Sequence, residues 1–143
     1  MKKMIFSVFA IFAFSVMATC REIPINYDQL PAVARSYISS NFANDEVVLV
    51  TVDDDVIRPD YEVKLSSGVK LEFDNSGQLE KVSSRNGIPA TLIPQEIRDY
   101  VTVRYKDVGY LEYEVGKKTY EVKLTNHFEL KFNRNFHLVE VDR

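Results

Sequence analysis

A single cysteine, Cys20, and the absence of tryptophan set the first limits on what this 143-residue chain can be. One cysteine cannot form an intramolecular disulfide, even in an oxidising compartment, so stability has to come from the core. The two histidines, His127 and His137, both fall in predicted turns, with no third ligand and no buried supporting shell for a transition metal. No serine stands in a Gly-x-Ser-x-Gly elbow, and the carboxylate pairs lie mainly on predicted exposed strand positions where nothing would separate their pKa values. No catalytic residue, metal site or cofactor is therefore assigned. Clustered Lys and Arg are also missing, and the formal charge is −3. A surface of that sign repels polyphosphate and anionic headgroups, which argues against nucleic acid as a partner.

Long apolar runs are missing too, with one exception at the start. Lys2-Lys3 precede an uncharged stretch from Met4 to Ala18, after which Arg21-Glu22 restore ordinary polarity. That pattern predicts an export signal over residues 1–19, since it is shorter than the roughly 20 residues that span a bilayer. Two cleavage readings stand side by side. Val16-Met17-Ala18 fits the ordinary peptidase and a soluble product. Met17-Ala18-Thr19-Cys20 fits a lipoprotein box, with lipidation at Cys20 as the only membrane contact. Removal of Lys2 and Lys3 leaves 16 basic against 21 acidic residues, a formal charge of −5. The remaining length, about 120 residues, suits one compact, monomeric domain in the periplasm or cell envelope.

What is present is a repeat. Tyr61-Glu62-Val63-Lys64-Leu65 returns as Tyr120-Glu121-Val122-Lys123-Leu124. After a short extended lead, Ile23-Pro24-Ile25, apolar Val33, Ala34, Tyr37, Ile38 and Phe42 fall on one face of a predicted helix over 28–42. Asp28 is placed to cap it and Pro31 falls in its first turn. Ile97, Tyr100, Val101 and Tyr105 repeat Ala34, Tyr37, Ile38 and Phe42 at an offset of 63, while Leu71, Phe73, Leu79 and Val82 become Leu130, Phe132, Leu138 and Val141 at an offset of 59. One four-residue deletion, between helix and second strand, accounts for the difference.

Val47 to Val52 reads as a strand. Ser66-Ser67-Gly68, with Gly68 left-handed, predicts a hairpin pairing Leu65 with Val69, Val63 with Leu71 and Tyr61 with Phe73. Leu79 and Val82 differ in parity, which predicts a bulge. Ser83 to Ala90, with Asn86-Gly87 and Pro89, is the expected joint between copies at 20–84 and 85–143. The fold class is α+β: a tandem repeat of helix plus four antiparallel strands, forming a roughly eight-stranded antiparallel sheet with both helices on one face.

The Leu30-Pro31 helix start, Asp60 through Leu65, Leu71-Glu72-Phe73-Asp74 with Gly77, and the second-copy Tyr120 through Leu124 and Leu130-Lys131-Phe132 together resemble the PepSY-like family of exported bacterial proteins. The resemblance covers nearly all of the chain beyond the leader. It implies a fold compared with β-lactamase inhibitory protein and a role in binding or inhibiting proteins, often peptidases, and it brings no catalytic residues. This chain departs from the pattern in lacking the tryptophan that many relatives carry after the glycine turn, and Phe136 stands where the first copy has Gly77.

Tyr61, Val63, Leu65 and their second-copy equivalents are explained by a core. Glu62, Lys64, Lys70, Glu72, Glu121, Lys123, Glu129 and Lys131 are not, and they form the candidate recognition surface for an unknown protein or peptide. The competing explanation is a solvated sheet face with mixed charge for solubility. The predicted register sets Lys123 against Glu129 and Glu121 against Lys131, but Lys64 against Lys70 and Glu62 against Glu72. Asp53, Asp54, Asp55 and Asp60 raise calcium, yet lack the glycine and distal glutamate of an EF-hand loop and read as a solvated acidic loop. Two functions follow: a non-catalytic binding module acting through the sheet face, its edge or adjoining loops, or a structural envelope lipoprotein whose face is inert. An enzyme ranks behind both.

Overall fold

The computed structural model describes residues 21–54 and 57–143. The expected leader, Cys20 and Asp55 lie outside the described residues. Among the described residues nine strands form one antiparallel meander in chain order: β1 (Glu22–Pro24), β2 (Val47–Asp53), β3 (Tyr61–Leu65), β4 (Lys70–Phe73), β5 (Leu79–Ile88), β6 (Tyr110–Val115), β7 (Thr119–Leu124), β8 (Glu129–Asn133) and β9 (Leu138–Asp142). Helix α1 (Ala32–Asn41) precedes β2 and helix α2 (Gln95–Arg104) precedes β6. Neither these nor the shorter helical turns among the described residues are long and apolar enough to cross a membrane.

The ninth strand corrects the expectation of about eight. Glu22, Ile23 and Pro24, expected as an unpaired lead, align with Asp53, Val52 and Thr51 of β2. Pro24 lacks an N–H and is tolerated there because β1 is an edge.

The helix start is corrected as well. Asp28 belongs to a separate 3-10 turn, Tyr27–Gln29, in which the Asn26 N–H donates to Gln29 Oε1 at 2.8 Å. Pro31 is the N-cap of α1. The cause is steric: a residue preceding proline is pushed out of the α region, and Leu30 is extended at φ −65°, ψ 146°. Ile93, before Pro94, separates the turn Ala90–Leu92 from α2 in the same way.

The expected joint, Ser83 to Ala90, is strand for most of its length. β5 continues through Ser83 to Ile88, and Asn86-Gly87 makes a bulge, not a turn. The register steps from Ser83 opposite Glu112 to Ile88 opposite Tyr110, with Gly87 at φ 95°. Ser84 and Ile88 are both buried, which keeps this stretch on the sheet. The two copies thus join edge to edge through β5 and β6.

The hairpin registers match the expected ones, including Glu62 opposite Glu72 and Lys64 opposite Lys70. The expected bulge is at Glu80, between Lys81 opposite Glu72 and Leu79 opposite Phe73. Val139 occupies the same place in the second copy.

One cross-strand row defines the core: Val50, Val63, Leu71, Val82, Tyr113, Val122, Leu130 and Val141 are successive partners from β2 to β9. The first seven are buried. Helix packing repeats with the sequence. Tyr37 of α1 meets Phe73 edge-on at 5.9 Å, and Tyr100 of α2 meets Phe132 edge-on at 5.4 Å. Ala34 and Ile38, one turn apart, are buried beside the first contact, and Ile97 and Val101 beside the second. All join a single apolar cluster.

Candidate functional site

Side chains alternate along a strand, so the residues flanking the apolar row point away from it. They form two further rows of cross-strand partners. One runs Thr51, Glu62, Glu72, Lys81, Glu114, Glu121, Lys131, Glu140, and the other Leu49, Lys64, Lys70, Ser83, Glu112, Lys123, Glu129, Asp142. All eight candidate residues lie in these rows. Lys81, Glu112, Glu114, Glu140 and Asp142 were missed, because they sit on β5, β6 and β9, for which no facing register was derived. Their alternation with Val82, Tyr113 and Val141 was the available signal.

The like-charge pairing of the first copy is resolved by one lysine. Lys70 Nζ lies 3.0 Å from a Glu62 oxygen and 3.0 Å from Glu72. Lys64 Nζ reaches Glu62 at 3.3 Å. In the second copy Lys123 meets Glu129 at 2.9 Å, while Lys131 bridges Glu121 at 3.3 Å and Glu140 at 3.0 Å. Lys81 crosses the junction to Glu112 at 3.0 Å.

These pairs also shift the lysines. Partial burial alone would lower Lys70 and Lys81, but the carboxylates beside them override it, and both are held above the ordinary lysine value. The hydrogen bond that Lys123 donates to Glu129 raises it, and those that Lys131 donates to Glu140 and Glu121 raise Lys131. A nucleophilic or basic lysine needs the opposite shift. The Glu80 carboxyl, at the bulge, is displaced upward by partial burial and then by the charges of Asp60, Asp74, Glu72 and Glu114.

Asp53 and Asp54 have local partners. Asp53 Oδ1 accepts the Asp60 N–H at 3.0 Å, and Asp54 Oδ1 accepts that of Arg21 at 3.3 Å. Among the described residues no group of three His, Cys, Asp or Glu side chains is placed to hold a metal ion. His127 and His137 occupy exposed turns, His127 with φ 68° where the first copy has Gly68 at φ 91°.

Phe136 takes the place of Gly77 with φ 61° and stacks on Tyr120 at 5.2 Å, itself stacked on Tyr113 at 6.3 Å. Arg134 covers Tyr120 at 4.6 Å and donates to the Gly116 carbonyl at 2.5 Å, fastening the β6–β7 hairpin. Phe136 therefore serves the packing of the second copy.

The sequence matches the family profile described as "Putative beta-lactamase-inhibitor-like, PepSY-like" twice, over residues 15–81 and 59–140. Among solved structures, the chain is 38% identical to a "putative calcium-regulated periplasmic protein" of Bacteroides thetaiotaomicron, with a TM-score of 0.81 over 85% of this chain and 97% of that one. A "putative periplasmic protein from DUF2874 family" of Bacteroides vulgatus is 33% identical, with a TM-score of 0.79 over 85% and 97%. A second Bacteroides vulgatus periplasmic protein, of unknown function, is 27% identical, with a TM-score of 0.79 over 86% and 100%. Comparison with curated proteins returns no match.

Proposed function

This chain belongs to the PepSY-like family, and from that premise we propose that it is a non-catalytic periplasmic binding module that recognises or inhibits a protein or peptide through the charged sheet face. In this reading each copy is a helix with four strands, both helices cover the apolar face, and the opposite face is open to a partner. The residues that make the contact are Glu62, Lys64, Lys70, Glu72, Glu121, Lys123, Glu129 and Lys131. The periplasmic names of the similar structures support the compartment, and the leader over 1–19 supplies the route. The chain acts as a monomer without a cofactor.

The observation that carries the proposal is the difference between the copies. The β7–β8 hairpin of the second copy sets opposite charges against each other, as a merely soluble face would. The first sets Lys64 against Lys70, and the carboxylate nearest Lys64, Glu62, is already held by Lys70 at 3.0 Å. Lys64 keeps half of its side chain exposed and is the cation best placed to take an acidic loop from a partner.

Affinity capture from envelope extract supplies the partner, and charge reversal tests the face. Lys64→Glu with Lys123→Glu should weaken the complex by about tenfold or more, as expected for losing complementary charge at an interface. Parent-like affinity in the double variant would overturn the proposal. The competing reading, an accessory lipoprotein tethered at Cys20 with an inert face, is separated by intact mass: an acylated Cys20 supports tethering, and a first residue at Thr19 removes it.

A further inference from the structure

We infer that the outer edge of β9 is a second recognition site, one that accepts an extended peptide segment in which an aromatic or aliphatic residue is flanked by lysine or arginine. The inference rests on the reading of the chain as a binding module but uses a different surface from the sheet face.

The repeat supplies the template. β9 is the second-copy equivalent of β5: Glu140, Val141 and Asp142 stand where Lys81, Val82 and Ser83 stand, at the offset of 59. β5 has a neighbour on both sides, and its outer one, β6, sets Glu114 against Lys81, Tyr113 against Val82 and Glu112 against Ser83. β9 pairs only with β8 among the described strands. The apolar row shows what is missing there. Val82 is 0% exposed, whereas Val141, ending the same row, is 46% exposed and the adjacent Val139 57%. A strand laid against β9 as β6 lies against β5 would place an apolar residue over Val141.

Charge then selects the occupant. Where β5 presents Lys81 and a neutral serine to the glutamates of β6, β9 presents Glu140 and Asp142. A strand with the chemistry of β6 is repelled, and one with Lys or Arg at those two places is matched. A second copy does not fit. Its own β9 would bring Glu140 and Asp142 against the same pair, and its β1 offers Glu22 and the N–H-less Pro24. β1 also covers β2, the equivalent of β6, so head-to-tail growth of the sheet is blocked.

The test uses two labelled synthetic peptides: residues 108–116 of this chain, and the same peptide with Glu112→Lys and Glu114→Lys. Fluorescence anisotropy with the 143-residue protein should show the lysine peptide binding at least about tenfold more tightly, and Glu140→Lys with Asp142→Lys in the protein should reverse the preference. Amide exchange on the unaltered chain should show new protection confined to β8 and β9. The inference is overturned if the lysine peptide does not bind, if protection appears elsewhere, or if reversal leaves the preference unchanged. Sedimentation showing dimers that dissociate in the reversed variant would instead assign the edge to a second copy and overturn the stated partner. Lys64→Glu with Lys123→Glu should leave peptide binding intact, so the edge and the sheet face fail or succeed separately.

Discussion

Two glycines with nearly the same backbone angle should respond very differently to alanine. Gly68 has φ +91° and Gly77 φ +87°, so each substitution carries the left-handed penalty, about 1–2 kcal/mol. Restricting the unfolded chain returns about 0.4–1 kcal/mol of that. At Gly68 the story ends there, because the nearest atom to an added Cβ is Asn86 Nδ2 at 3.7 Å. At Gly77 the Cβ would stand 2.7 Å from Pro31 Cβ, 3.0 Å from the Ala34 nitrogen and 3.3 Å from Val33 Cβ. A proline ring and a helix backbone cannot rotate aside, so α1 has to lift from the β4–β5 turn. Overpacking of that kind adds about 1–3 kcal/mol. The expected losses are about 1 kcal/mol for Gly68→Ala and about 2–4 kcal/mol for Gly77→Ala. At roughly 4 °C per kcal/mol for a domain of this size, thermal midpoints should fall by about 4 °C and about 8–16 °C. Circular dichroism during heating, with urea titration as a second probe, measures both. Equal losses, or a larger one at Gly68, would refute the seating of the α1 N-terminus on that turn.

Removing Lys70 should matter more than removing Lys123, because only Lys70 separates two carboxylates that face each other. Lys70→Gln is expected to cost about 1 kcal/mol and Lys123→Gln measurably less, with the gap narrowing in about 1 M salt; equal losses by urea titration would contradict the bridging role. Glu80→Gln should raise stability at pH 7, by about 0.5 kcal/mol once solvent screening is allowed for. The sign follows from the upward shift of its carboxyl: the ionised form is the disfavoured one in the fold, so the gain is present above the folded pKa and vanishes below the unfolded value of about 4.3. A gain that persists at lower pH would point to packing and not charge.

The hairpins were legible because each is local. Alternation in Tyr61 to Leu65 and Val69 to Phe73, closed by a glycine turn, fixes a register with no outside information, and it fixed the candidate residues on those strands. β1 was not legible, since three residues ending in Pro24 become a strand only through pairing with β2. Nor was the continuation of β5 past Asn86-Gly87, where the local turn signal lost to pairing with β6 and to burial of Ser84 and Ile88. The same blind spot hid Lys81, Glu112 and Glu114, whose partners lie across the copy junction. Asp28 misled for a different reason: it is a good capping residue, but Leu30 before Pro31 interrupts the helix between them.

Duplication also separates what the fold requires from what it tolerates. Tyr37 on Phe73 and Tyr100 on Phe132 are the same contact made twice, as are the bulges at Glu80 and Val139, and such pairs carry architecture. Where the copies differ, one of them shows that the fold forms without the feature. A charge-matched hairpin forms in the second copy, so the opposed lysines and opposed glutamates of the first are not needed to close a hairpin. A lysine at position 81 serves β5, so the glutamate at 140 is not needed to make the strand. The apolar row, continuous from Val50 to Leu130 and then half-exposed at Val141, puts the second of these differences on a strand with one neighbour among the described strands. Lys64 with Lys70 on the face and Glu140 with Asp142 on the edge are the departures on which the two proposed sites rest, and the charge-reversal experiments address them separately.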